Sequence, residues 1–146
     1  MRKRYTQLNI CTNLLYCNNF TNTMIEISKS VIQKDGKFLL LKRASHSKSY
    51  PDMWDFAGGK HDSGETPTEA VIRETKEETS FDIEPGNEIR TEEYHDEKHD
   101  LLFHYFTPKI LSGDLTLSPD HSNFKWISKE EMKDFELHPS VKLFFE

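Results

Sequence analysis

The sequence predicts an α/β fold with a mixed β-sheet and helices packed on it. Short β-rich runs bounded by turn residues supply the strands, and a capped acidic helix divides them into two groups. A chain of 146 residues with 35% hydrophobic and 12% aromatic content can bury one core, whereas two domains would leave each half marginal. Residues 24–146 read as that domain. Residues 1–23 read as a polar extension, because Asn, Thr and Gln keep interrupting the apolar residues of a stretch whose basic start is otherwise like a signal peptide.

IEISKSVIQ and KFLLLKR, separated by the turn pair Asp35-Gly36, read as an antiparallel hairpin. WDFAGGK, after the polar loop ASHSKSYPDM, reads as one short strand ending in two glycines. Thr66-Pro67-Thr68-Glu69 has the form of a capping box with proline at the first helical position, opening a helix that runs to about Ser80. NEIRTEEYH and HDLLFHYFTPKI form a second antiparallel pair turning at Asp96-Glu97-Lys98. NFKWI is a further strand, Ser128-x-x-Glu131 caps a brief helix, and HPSVKLFFE makes a final helix with Val141, Phe144 and Phe145 facing inward.

A net charge of −6 argues against a nucleic-acid polymer as partner, since that needs a concentrated basic face. No apolar run approaches the roughly 18 residues of a membrane span. Cys11 and Cys17 are the only cysteines, so there is no disulfide framework or zinc-finger spacing, and a reduced, cytoplasmic protein is expected.

The acid is clustered. Residues 59–81 hold Asp62, Glu65, Glu69, Glu74, Glu77 and Glu78 against Lys60, Arg73 and Lys76. With Glu74 at zero on a helical wheel, Glu77 falls at about −60° and Glu78 at about +40°, so the three share a face. Val71, Thr75 and Ile72 fall at about 60° to 160° and are expected to pack on the sheet. Like charges at these spacings repel unless a cation or proton compensates. Arg73, four residues from both Glu69 and Glu77, is expected to bracket them. Three carboxylates beside a Gly-Gly turn suit magnesium, which leaves positions for water and substrate phosphate.

The run Gly59, five residues, Glu65, seven residues, Arg73-Glu74, then Glu77-Glu78 and Phe81, resembles the Nudix box, G-x5-E-x7-R-E-U-x-E-E-x-G-U with U apolar. Every charged position is present. Thr75 stands at an apolar position and Ser80 at the glycine, which should weaken packing slightly and leave a turn without glycine's freedom. The hairpin before the box, W-D-F-A-G-G-K, and F-K-W-I-S-K-E-E-M after it extend the resemblance, to small MutT-type members, over roughly residues 24–146.

The resemblance implies an α/β/α sandwich and a magnesium-dependent, or manganese-dependent, hydrolase that cleaves a pyrophosphate bond in a nucleoside triphosphate or other nucleoside diphosphate derivative by water attack at phosphorus. It places Glu74, Glu77, Glu78 and the Gly59 carbonyl as metal ligands, with Glu65 and Arg73 bracing them. Glu74 is the first candidate for general base and Asp120, in SPDHS, the second. His121 is a candidate phosphate contact, while His61, His95 and His99 read as surface residues. Phe56 stands where a MutT-like protein lines its base pocket, Arg43 where phosphate or ribose could be met, and Ser140 on the substrate-facing segment where readers of oxidised guanine carry an asparagine. The proline and tyrosine that follow the box in ADP-ribose and diadenosine members are absent around His95 to Lys98, which leaves a small nucleotide as substrate. The alternative is a non-catalytic nucleotide-binding or protein-interaction module of the same fold; such modules commonly lose box carboxylates, and none is lost here.

Overall fold

The structure is a computed structural model that describes residues 23–146; nearly all of the expected polar extension, 1–23, lies outside the described residues. Three sheets form. The first holds, in spatial order, β5 (Ala57–Lys60), β1 (Ile25–Ser30), β8 (Asp100–Phe106) and β7 (Glu88–His95). β1 runs parallel to β8 and antiparallel to β5, which makes this sheet mixed. The second is β10 (His121–Ile127), β3 (Lys37–Arg43) and β2 (Gln33–Lys34), with β4 (Trp54–Asp55) also on β3. The third pairs β6 (Asp82–Glu84) with β9 (Lys109–Ser112).

The expected first hairpin is only partly formed. Asp35 (φ 51°) and Gly36 (φ 73°) make the turn, as left-handed residues must in a tight hairpin. However, only Gln33 and Lys34 pair across it. β1 instead sits between β5 and β8, and the reason is burial on both faces: Ser28, Lys29 and Ser30 are as inaccessible as Val31 and Ile32. Val31 N–H donates to the Phe106 carbonyl, while the Ile32 carbonyl accepts from Leu39 N–H. The chain therefore changes sheets at this dipeptide. It changes again at Phe56, so that WDFAGGK is two strands, one on β3 and one on β1.

Two apolar clusters result. Ile27, Leu40, Phe56, Phe103, Tyr105, Ile127 and Val141 form one, closed by Phe144 and Phe145 of α2 (Pro139–Phe145). Ile32, Leu39, Leu41, Ala57, Val71, Phe81 and Phe106 form the other, beneath α1 (Pro67–Thr79). The two helices flank the sheets, which is the α/β/α sandwich expected.

α1 begins with the capping box: Glu69 N–H donates to Thr66 Oγ1, and Thr66 N–H to the Glu69 carboxylate. Its buried side is Ala70, Val71, Thr75, Glu78 and Thr79. Ile72 is 41% exposed, against expectation; the sheet covers a sector centred nearer Glu78 than the apolar residues alone indicate. Ser128 and Glu131 do cap a brief turn, but it is a 3-10 helix (Glu131–Asp134). No helix among the described residues is long and apolar enough to cross a membrane.

Candidate active site

α1 lies against β5, and this contact brings the box together. Glu78, 9% exposed, points into the sheet and accepts the Gly58 N–H at 2.8 Å. Gly58 (φ 139°) must be glycine, since a β-carbon there would run into the Ser28 carbonyl. Gly59 faces Glu74 so closely that an added β-carbon would stand 2.6 Å from the Glu74 carboxylate carbon.

Arg73 is the brace, with Glu77 among its partners as expected and Glu69 not. Its Nε and Nη2 donate to the two Glu65 oxygens at 2.7 and 2.8 Å, Nη1 to Glu74 at 2.7 Å and to Glu77 at 3.3 Å, and Nη2 also to the Lys60 carbonyl at 3.1 Å. Planar, paired donation of this kind fixes a carboxylate's orientation as well as its position. Glu69, expected as a partner, is occupied by the cap. The Arg73 bonds, helped by the Asp62 N–H, hold Glu65 down at about 2.

Glu74 and Glu78 go the other way. Burial raises Glu74, against the pull of Arg73. Burial pushes Glu78 up to about 8, against the opposing influence of Lys29 and the Gly58 N–H. Lys29 is not available to neutralise it fully, because its Nζ pairs with Asp55 at 2.8 Å. Glu77 reaches toward solvent, its side chain 58% exposed. The result is an all-oxygen donor set with more carboxylate than local cation can offset, the composition that suits a hard divalent metal. Glu74, Glu77, Glu78 and the Gly59 carbonyl are the groups that could hold one.

Thr75, where the pattern wants an apolar residue, is fully buried but satisfied: its Oγ1 shares a hydrogen bond with Ser30 Oγ at 2.5 Å. Ser80 takes the left-handed conformation (φ 69°) that glycine would take, and its N–H still closes on the Lys76 carbonyl, at a strain of roughly 1 kcal/mol. Both departures alter the support of the site and leave Glu74, Glu77 and Glu78 in place.

A cavity of about 530 Å³ adjoins this wall and is lined by Gly58, Gly59, Glu74 and Glu78 together with Lys29, Arg43, Tyr50, His99, Asp120 and His121. Arg43, Asp120 and His121, named as candidates from the sequence, thus line the same cavity as the carboxylates. Burial pushes His121 down to about 4, so it enters the site as a neutral imidazole.

Phe56 and Ser140 are not on that wall. Phe56 is fully buried and meets Phe144 and Tyr105 edge-on, because it sits where the chain passes between sheets. Ser140 is also fully buried; its Oγ donates to Asp55 at 2.6 Å and its carbonyl accepts the Tyr105 hydroxyl at 2.6 Å. The histidine expectations need correction too. His99 lines the cavity, where Tyr50 Oη lies 3.2 Å from its Nδ1 and donates to Asp96 at 2.7 Å. His61 has a side chain only 6% exposed. Sequence reasoning missed Lys29, Asp55, Tyr50 and His138: Lys29 stands in a strand with at least as much polar as apolar character, IEISKS, and Asp55 in a strand of two residues, so neither buried charge breaks a local pattern.

Comparison with known proteins follows the same outline. The NUDIX domain family model matches residues 27–146. The chain is 29% identical over 117 residues to the CTP pyrophosphohydrolase of Escherichia coli (strain K12), covering 80% of this chain and 85% of that one. It is 28% identical over 126 residues to the nucleoside triphosphatase NudI of Enterobacter sp. (strain 638), covering 79% and 89%. The crystal structure of a MutT protein from Methanosarcina mazei Go1 superposes with a TM-score of 0.76 at 28% identity, over 84% of this chain and 90% of that one.

Proposed function

From the premise that this chain belongs to the NUDIX domain family, we propose that it is a magnesium-dependent pyrophosphohydrolase of a nucleoside triphosphate or a related nucleoside diphosphate derivative. The observation that carries this reading is the wall of the cavity: Glu74 and Glu78, both raised by burial, beside Gly58 and Gly59. The names of relatives that act on CTP and nucleoside triphosphates support the substrate class. Two cysteines among 146 residues fit work in a reducing cytoplasm.

In this reading Glu74, Glu77, Glu78 and the Gly59 carbonyl hold the metal, with manganese able to stand in for magnesium. When bound, the metal neutralises phosphate oxygens and lowers the pKa of water. The chain supplies the rest. Glu65 fixes Arg73, and Arg73 holds Glu74 at one oxygen, with the carboxylate packed against Gly59. Glu74, lifted by burial toward the working pH, takes the proton of the attacking water, the task for which a raised carboxylate is matched. Asp120 lines the same cavity and is the alternative base. Arg43 presents positive charge to the phosphates, and Tyr50 and His99 offer aromatic rings to the base.

Incubation with a nucleotide panel and magnesium should give cleavage with phosphorus-specific products, and Glu77→Gln should reduce kcat by about 10²-fold or more. Its exposed carboxylate is dispensable to packing, so the melting temperature should not move. Binding without turnover across the panel would favour the non-catalytic alternative.

Gly59→Ala separates position from chemistry. Its new β-carbon must displace the Glu74 carboxylate, and misplacement by about 1 Å can cost roughly 10²-fold in rate. We expect kcat to fall on that scale with KM little changed; unchanged kcat would show that Glu74 acts from elsewhere.

A further inference from the structure

On the opposite face of the first sheet from the cavity, Glu26 of β1, His61 just past β5 and His104 of β8 converge. One ligand atom from each lies within 4.8 Å of the other two. His104 Nε2 is 3.0 Å from Glu26 Oε1, and His61 Nδ1 is 3.9 Å from Glu26 Oε2. The imidazoles are tilted by 31° with centroids 5.2 Å apart. We propose that Glu26, His61 and His104 form a second metal site, separate from the acidic box, that takes zinc through two imidazoles and one carboxylate.

Three features beyond the clustering point to a ligand. First, His61 Nδ1 is buried with no hydrogen-bond partner in a side chain only 6% exposed, and a buried nitrogen left this way is destabilising until a partner fills the position. Second, the other nitrogen of each ring is already held: His61 Nε2 by Ser28 Oγ at 2.8 Å, and His104 Nδ1 by Glu88 at 2.6 Å. A carboxylate behind a histidine fixes the ring and its tautomer, which is how metal-binding histidines are commonly supported. The third is access. Glu26 is half-exposed, and together with His61, Asp62 and Glu65 it lines an open groove through which a cation can enter.

The donor set selects the metal. Two nitrogens and one oxygen suit zinc, which binds at about 2.0–2.2 Å and takes water as its fourth ligand, better than magnesium. Tetrahedral bonds of that length place ligand atoms roughly 3.3 Å apart. The carboxylate must therefore swing toward His61, a motion its exposure permits. Filling the site would join β1 and β8 to the segment two residues past Gly59.

The test uses the full chain after chelator treatment. Zinc titration should show one equivalent that persists in Glu77→Gln/Glu78→Gln. Cobalt in its place should give the strong visible absorption of a tetrahedral centre. Long-range 1H–15N spectra should report zinc at Nδ1 of His61 and Nε2 of His104. His61→Ala/His104→Ala should abolish this equivalent. Glu26→Gln, at an exposed position that does not threaten folding, should weaken it at least 10-fold. Zinc that disappears with the box carboxylates and survives in Glu26→Gln, or imidazole nitrogens unmoved by zinc, would overturn the proposal.

Discussion

Glu78→Gln is expected to abolish turnover while making the metal-free protein more stable above neutral pH. Turnover should fall by about 10³-fold or more, as a ligand and its charge leave the site together. Stability should move the other way because Glu78 is buried and raised from 4.5 to about 8. Between those values the folded protein keeps a proton that the unfolded chain has released, so stability falls as pH rises through the window. Two buried histidines oppose this at the acid end: His138 is pushed down to about 3 and His121 to about 4 from 6.5, so their contribution rises with pH, steeply up to about 6.5 and only weakly beyond. From there to pH 8 Glu78 dominates, and its slope amounts to about 2 kcal/mol. Thermal melts in chelator should therefore show the wild type losing several degrees from pH 6.5 to 8, with Glu78→Gln flat over the same range. Magnesium should restore the wild type, by binding the ionised form, and leave the variant unchanged. A flat wild-type profile would mean that the carboxylate is solvated.

This opposition between stability and function explains which parts of the site were legible. Helical arithmetic located the shared carboxylate face, and the capping box located its start, because both are local: Thr66 meets Glu69 three residues away. The depth of Glu78 was not legible. It depends on β5 and β1 closing over that sector, and the same closure leaves Ile72 outside. Alternation found most strands but could not assign them to sheets, since a strand covered on both faces, like β1, has no alternation to read. Phe56 fits a base-pocket position by sequence, yet the crossing between sheets at that residue places its ring in the core. The cavity wall around Tyr50 and His99 comes from residues 49 positions apart, with no local pattern to announce it.

Asp55→Ala is expected to be the most destabilising single change near the site. Asp55 is fully buried and holds Lys29 at 2.8 Å, Arg43 at 3.5 Å and Ser140 Oγ at 2.6 Å. Burial opposes its charge, but His138, Lys29 and Arg43 around it hold its carboxyl below the usual carboxylate range. Removing it strands the Lys29 ammonium, whose side chain is 3% exposed, and breaking a buried pair from one side costs about 3–5 kcal/mol. Denaturant unfolding at pH 7 should show a loss of that size, and Lys29→Met/Asp55→Leu should recover most of it, since an apolar pair carries no desolvation cost. A loss below about 1 kcal/mol would place water between the partners. The same variant tests how the carboxylate wall is kept open for a cation. Lys29 is the strongest opposing influence on Glu78 after burial, and Asp55 is what holds it at a distance from the box. Freed by Asp55→Ala, the ammonium should turn to Glu78 and compete with magnesium for it. Magnesium affinity should then fall in Asp55→Ala even at denaturant-free, fully folded conditions, and recover in Lys29→Met/Asp55→Leu, where no ammonium remains to compete.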